Sequence, residues 1–207
     1  MLILLLIVAV SYLSGSIPFG YILVRIFRGE DVRRSGSGNI GATNVARKSP
    51  ALGVLTLVLD ALKGSTAVFL ATTLSRQHAS YRNLYSMMSL AALCAVAGHL
   101  FPIWLKFRGG KGVATGLGSF VMIAPKAVLI CVAIFVILVL LFRYISLGSI
   151  ISVAAFPVSV WILHQYGNSR RALAFMALSS FLIIVKHHQN IRRLLAGTEN
   201  RFRSRTA

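Results

Sequence analysis

The chain is 207 residues long and 57% hydrophobic, with a mean hydropathy of +0.78 and only 13% charged residues. Soluble domains carry about 25% charged residues, so this composition excludes an ordinary soluble fold and points to a membrane protein. Its 22 basic residues against four acidic ones fall mainly in short loops and the tail without a nucleic-acid-binding motif, so they set membrane orientation and meet anionic headgroups; nucleic acid is excluded as a partner.

Met1 to Val24 carries no charge and is about long enough to cross a bilayer. No basic segment precedes it and no small-x-small cleavage site follows, so it reads as a retained span. Ser11, Ser14, Gly15, Ser16 and Gly20 favour tight helix packing along it. A polar loop covers 25–50, ending in Ser35-Gly36-Ser37-Gly38-Asn39-Ile40-Gly41-Ala42-Thr43-Asn44-Val45-Ala46-Arg47. Ser37, Asn39, Thr43 and Asn44 offer hydrogen-bonding groups, and Arg47 a bidentate fork suited to phosphate. The same residues suit a surface turn that caps a helix. With no hydrophobic anchor, such a loop is costly against a bilayer unless something binds there.

The second span, 50–74, holds Asp60 and Lys63 on one helical face. At that depth both must pair and face the bundle interior, as a structural ion pair or as support for a site. Residues 76–82 form a short loop. The third span, 83–105, carries His99 near its end, either a satisfied interfacial histidine or a support for the loop beyond it.

That loop is Phe107-Arg108-Gly109-Gly110-Lys111-Gly112-Val113-Ala114-Thr115. Three glycines in four residues leave N–H groups uncovered around one lysine, a pattern able to wrap a phosphate. A helix opening at Val113 would aim its positive end at the same spot. The nucleotide P-loop spacing is absent, and a flexible turn with a lysine at the headgroups fits this loop equally well when it is taken alone.

Residues 112–142 are too long for one comfortable span and are interrupted by Pro125-Lys126. Two helices, 113–124 and 126–143, place 16 of the 22 basic residues on one side and five on the other. A single helix would carry the tail's six basic residues across, so the positive-inside rule selects two. Spans at 147–165 and 171–185 complete an all-α integral membrane protein of seven transmembrane helices. It forms a single domain over 1–207, with the N-terminus periplasmic and the C-terminus cytoplasmic.

Between the fifth and sixth spans, Tyr144 to Ser149 adds the hydroxyls of Ser146 and Ser149. The last polar stretch is Lys186-His187-His188-Gln189-Asn190-Ile191-Arg192-Arg193, followed by Gly197 and Glu199. On a helix, His187, Asn190 and Arg193 share a face; a basic helix end snorkelling at the headgroups has the same composition. No metal site is expected: neighbouring histidines point apart, no acid completes the set, and no second carboxylate lies at helical spacing from Asp60. Cys94 and Cys131 sit inside apolar segments, so no disulfide is expected, and CxxC metal spacing is absent.

GSGNxGATNxxR at 36–47, GGKGVATxxG at 109–118 and HxxNIxRL…GxE at 187–199 resemble, in order and spacing, the three cytoplasmic motifs of the acyl-phosphate glycerol-3-phosphate acyltransferases. Those are seven-span bacterial inner-membrane enzymes that make lysophosphatidic acid. The resemblance implies that Gly109, Gly110, Lys111 and Gly112 bind a phosphate. It also implies that Ser37, Arg47, Lys111, Ser149, His187 and Asn190 surround glycerol 3-phosphate and the acyl-phosphate headgroup. Asn39, Thr43, Asn44 and Arg193 complete the candidate binding set; His187, Lys111 and Arg47 are the catalytic candidates. No cofactor is implied. Membrane lipids, and the soluble enzyme that makes acyl phosphate, are the expected partners.

The histidine–four–aspartate motif of other glycerolipid acyltransferases is absent, since none of the five histidines has an acid four residues beyond it. An acyl phosphate is already activated, so positioning would carry most of the catalysis. The base is then His187 or the acyl phosphate's own oxygens. A carrier of phosphorylated solutes, the competing class, would show mid-membrane polar groups and internal pseudo-symmetry. A magnesium-dependent transferase would show aspartate clusters. Here only Asp60 and Lys63 are deep, the other polar groups cluster at one face and the four acids are scattered, which favours an interfacial enzyme.

Overall fold

A computed structural model describes residues 1–76 and 81–202. The loop expected at 76–82 lies mostly outside these residues, as do Arg203 and Arg205 of the tail. Among the described residues all regular structure is helical. The first span is broken: α1 (Leu2–Ser16) and α2 (Phe19–Arg28) flank Ile17–Pro18. The proline removes an N–H and drives Ile17 into extended backbone (φ −61°, ψ 116°). Leu2–Arg28 is still long and apolar enough to cross a membrane, ending four residues beyond the expected limit.

A short helix, α3 (Ala42–Ala46), follows within the polar loop, and α4 (Pro50–Ser75) opens on a Ser49 cap with Pro50 in its first turn. Next come α5 (Tyr81–Leu100), α6 (Val113–Val121) and α7 (Pro125–Phe142), the last starting at the proline that divided the long apolar segment. The chain closes with α8 (Ile145–Ile162), α9 (Arg170–Lys186) and α10 (His188–Leu195). The axis of the bundle is α5, on which α1, α4, α6 and α9 pack, whereas α7 packs mainly on α8 and leaves most of its surface exposed.

Backbones approach closely where side chains are smallest. A Cβ on Gly15 would lie 2.1 Å from the Ala95 carbonyl oxygen, and one on Gly118 would lie 1.9 Å from that of Ala61. The second contact lays α6 against the middle of α4.

The expected count of seven spans is not what helix length gives. Among the described residues five helical segments are long and apolar enough to cross, and a sixth arises if α9 is joined to α10 across a 56° bend. The expected span at 113–124 is α6, whose nine residues reach about 13 Å against a hydrocarbon core of about 30 Å. Together α6 and α7 nevertheless return the chain to the end it left, because both Lys111 and Arg143 lie close to the segment 193–202.

The main apolar cluster, including Val68, Ala92, Phe120, Phe156, Val160 and Met176, fills the half of the bundle away from these loops. A second cluster of Val24, Val32, Ile40, Val45 and Leu105 lies under the first polar loop. The expectation that this loop has no hydrophobic anchor is therefore corrected. Val32, Ile40 and Val45 are 0–2% exposed, and the loop is stabilised by its own small core.

Candidate active site

Segments 32–48, 106–112, 143–149 and 187–201 gather at one end of the bundle. Glu199 is the knot. Its Oε1 accepts from Ser146 Oγ at 2.8 Å and from Asn190 Nδ2 at 2.7 Å, and its Oε2 from Arg193 Nε at 2.6 Å. Burial works against the carboxylate, but the Arg193, Asn190 and Ser146 donors outweigh it and hold Glu199 below the ordinary glutamate value. The backbone adds a tie, Phe202 N–H donating to Arg143 O at 2.6 Å. Glu199 was assigned no role from sequence. One signal was available: it is one of four acids in a chain of net charge +18, two residues past a glycine that bends the chain back.

Two candidate binding residues have partners within the protein. Arg193 donates its Nε to Glu199. Asn44, expected to offer groups to phosphate, is 3% exposed and holds the first loop together. Its Nδ2 donates to the carbonyls of Asn39 (2.9 Å), Ser35 (3.0 Å) and Val32 (3.2 Å), while its Oδ1 accepts Ser37 N–H at 2.9 Å. Asn39 makes a similar local turn, its Oδ1 accepting Gly41 N–H at 2.8 Å. Ser37, Thr43 and Arg47 are exposed, and Arg47 forms no ion pair among the described residues.

The glycine–lysine loop works differently from its sequence expectation. The Gly109 and Gly110 N–H groups are not free: they donate to Leu100 O (3.2 Å) and His99 O (3.0 Å), folding the loop back on the end of α5. Both positions are glycine because nothing larger fits. A Cβ would lie 2.1 Å from His99 O at Gly109 and 2.0 Å from His99 Nε2 at Gly110. The available donors come one turn later, where Gly112 (φ 84°) opens α6 with no side-chain cap, leaving its first N–H groups directed at the site.

Lys111 sits between these features, half-buried and without a carboxylate in contact among the described residues. Burial pushes its ammonium down to about 8; Glu199 opposes the shift, while Arg193 and Arg47 add to it. His187 lies just past the end of α9, 2% exposed. Its Nδ1 lies 2.8 Å from the Ile183 carbonyl oxygen, which can only accept, so Nδ1 carries the proton and Nε2 keeps its lone pair. Burial pushes the ring down to about 4, with the Ile183 carbonyl opposing and Lys111 adding to the shift, so it is neutral at physiological pH. Asn190 is 4% exposed, and its Oδ1 has no protein partner. Ser149 donates its hydroxyl to Ile145 O at 2.9 Å and retains only acceptor capacity.

The arrangement is a small cationic basin containing Lys111, the α6 N-terminus and a nearby Arg47. Beside it stand a neutral imidazole and an amide oxygen, and its one carboxylate is already engaged. Such a basin suits phosphorylated ligands and presents no histidine–carboxylate pair on its open side.

The family model for glycerol-3-phosphate acyltransferase matches residues 5–197. A glycerol-3-phosphate acyltransferase of Syntrophotalea carbinolica is 47% identical over 195 residues, covering 94% of this chain and 95% of that protein. One from Ehrlichia canis is 44% identical over 196 residues, covering 94% and 96%. The structure is similar to the crystal structure of PlsY (YgiH), an integral membrane glycerol 3-phosphate acyltransferase, in its glycerol 3-phosphate form. The TM-score is 0.87 at 34% identity, covering 97% of this chain and 96% of that one. The lysophosphatidic acid form of PlsY gives a TM-score of 0.83 at 32% identity, covering 96% and 94%.

Proposed function

This chain belongs to the glycerol-3-phosphate acyltransferase family, and from that premise we propose that it moves a fatty acyl group from acyl phosphate to the sn-1 hydroxyl of glycerol 3-phosphate. The products are 1-acyl-glycerol 3-phosphate and inorganic phosphate. The observation that carries the choice of donor is His187, a neutral imidazole held near pKa 4 by burial. So weak a base suits a donor that is already strongly activated. A mixed anhydride needs less help, and the phosphate it releases is itself a proton acceptor.

The hydroxyl oxygen attacks the acyl carbonyl carbon and forms the new ester bond. The bond between that carbon and the bridging oxygen breaks, and its electron pair leaves on the phosphate. His187 Nε2 accepts the hydroxyl's hydrogen bond and aims it; the departing phosphate takes the proton. Lys111 and the first N–H groups of α6 stabilise the charge that gathers on that phosphate. Arg47 and Asn190 hold glycerol 3-phosphate beside it. No acyl-enzyme is required.

The acyl chain lies among the helices, and the donor is delivered to the membrane face by a soluble acyl-phosphate-forming enzyme. The basic balance of the loops supports a site on the cytoplasmic face of the bacterial inner membrane. Purified protein given radiolabelled glycerol 3-phosphate should form lysophosphatidic acid with palmitoyl phosphate, equally with and without EDTA. Formation only with palmitoyl thioesters would overturn the donor assignment.

A further inference from the structure

Beneath the glycine–lysine loop lies a chain of buried polar groups that the proposed reaction does not use. Lys63 Nζ is 2.8 Å from Asp60 Oδ1, and the two side chains are 2% and 3% exposed. The same ammonium donates to Ile17 O at 2.7 Å, at the break between α1 and α2, while Ser14 Oγ donates to Lys63 O at 3.2 Å. On the other side of Asp60, His99 Nδ1 faces Oδ1 at 3.6 Å. The opposite ring nitrogen of His99 lies directly under Gly110, where an added Cβ would meet it at 2.0 Å. The His99 carbonyl accepts Gly110 N–H.

We propose that Lys63, Asp60 and His99 form a positioning unit that sets the height and tilt of the Gly109–Gly110 turn, and through it the aim of Lys111 and the α6 N-terminus. The inference rests on the catalytic role given above to that loop. Three observations support it. First, buried polar groups line up from the helix break at Ile17 through α4 and the end of α5 to the loop, with Lys63 hydrogen-bonded to Ile17 O, paired to Asp60, and His99 Nδ1 3.6 Å beyond Asp60 without a hydrogen-bond partner of its own. Second, stability alone is a weak reason to keep it, because replacing a buried ion pair by apolar residues of similar size is often neutral or stabilising. Third, its outlet is the loop: His99 contributes both the carbonyl that holds Gly110 and the ring on which Gly110 rests. A ring that moved by one ångström would move the loop with it, and misplacement on that scale costs about 100-fold in rate.

The experiment uses the full-length protein in detergent or liposomes, with initial rates measured against each substrate separately. H99A removes the floor and D60N/K63M removes both charges while keeping neutrality. Each should lower kcat/KM for palmitoyl phosphate by about 10- to 100-fold and leave KM for glycerol 3-phosphate unchanged. H99Q, which keeps much of the volume and one amide donor, should recover part of the loss. Loop geometry is also read without turnover, as protection of Lys111 from acetylation by inorganic phosphate; protection should weaken in H99A and return in H99Q. Parallel loss of both substrate parameters with loss of folded protein would overturn the proposal, as would unchanged donor kinetics or undiminished protection in H99A. A native protein inert toward palmitoyl phosphate, whose Lys111 is still phosphate-protected in a His99-dependent way, would sink the donor assignment and leave the positioning role standing.

Discussion

Raising the pH should switch the site off through Lys111. The transferred phosphate leaves as an anion, and the ammonium that receives it is held near pKa 8 by burial. The sign is direct: the group works when protonated, so activity is present below that value and lost above it. About nine-tenths of the lysine is charged at pH 7 and a little under one-tenth at pH 9, a fall of roughly tenfold in competent enzyme. The assay is kcat/KM for palmitoyl phosphate from pH 6.5 to 10, which reports groups on the free enzyme. The same limb in kcat should lie higher, because bound phosphate favours the charged form. K111R stays charged throughout; its residual activity, lowered by altered geometry, should show no limb near 8. A flat profile to pH 10 in the native protein, or an unchanged limb in K111R, would refute the reasoning.

Gly110→Ala should fold but lose most donor turnover, because its methyl would meet the His99 ring at 2.0 Å and lift the loop; kinetics beside a thermal-stability trace separate the two effects. Glu199→Gln weakens a charge-assisted clamp on Ser146, Asn190 and Arg193, and should cost about 2 kcal/mol, seen as a lower unfolding midpoint together with a raised KM for glycerol 3-phosphate. Asn44→Ala strips four hydrogen bonds from the first loop and should cost about 1–3 kcal/mol; faster proteolysis between residues 33 and 47 would report it. His187→Gln keeps an amide at the hydroxyl without an imidazole lone pair, and should depress kcat more than either KM.

Much of the architecture was legible because apolar length and basic-residue placement are additive properties that survive without knowledge of packing. The helical class, the division at Pro125 and the gathering of three polar segments at one end all follow from them. What the sequence hid was which partner each polar group takes. A glycine needed for free amides and one needed for close approach look identical in a string; Gly109 and Gly110 are the second kind, and only the neighbouring His99 reveals it. Asn44 likewise carries the chemistry of a phosphate ligand but points into its own loop. The apolar anchors Val32, Ile40 and Val45 follow neither helical nor strand spacing, so periodicity could not find them. Length served at α6, where a segment too long for one span divides at Pro125 into a short helix and a longer one.

The central claim is direct transfer between two phosphorylated molecules held side by side, with no covalent stop on the protein. Rapid-quench measurement of phosphate released from palmitoyl phosphate tests it when stoichiometric protein is mixed without glycerol 3-phosphate. The account predicts no release above slow background hydrolysis until the acceptor is added. A burst of one phosphate per protein in its absence would reveal an acyl-enzyme and contradict the mechanism.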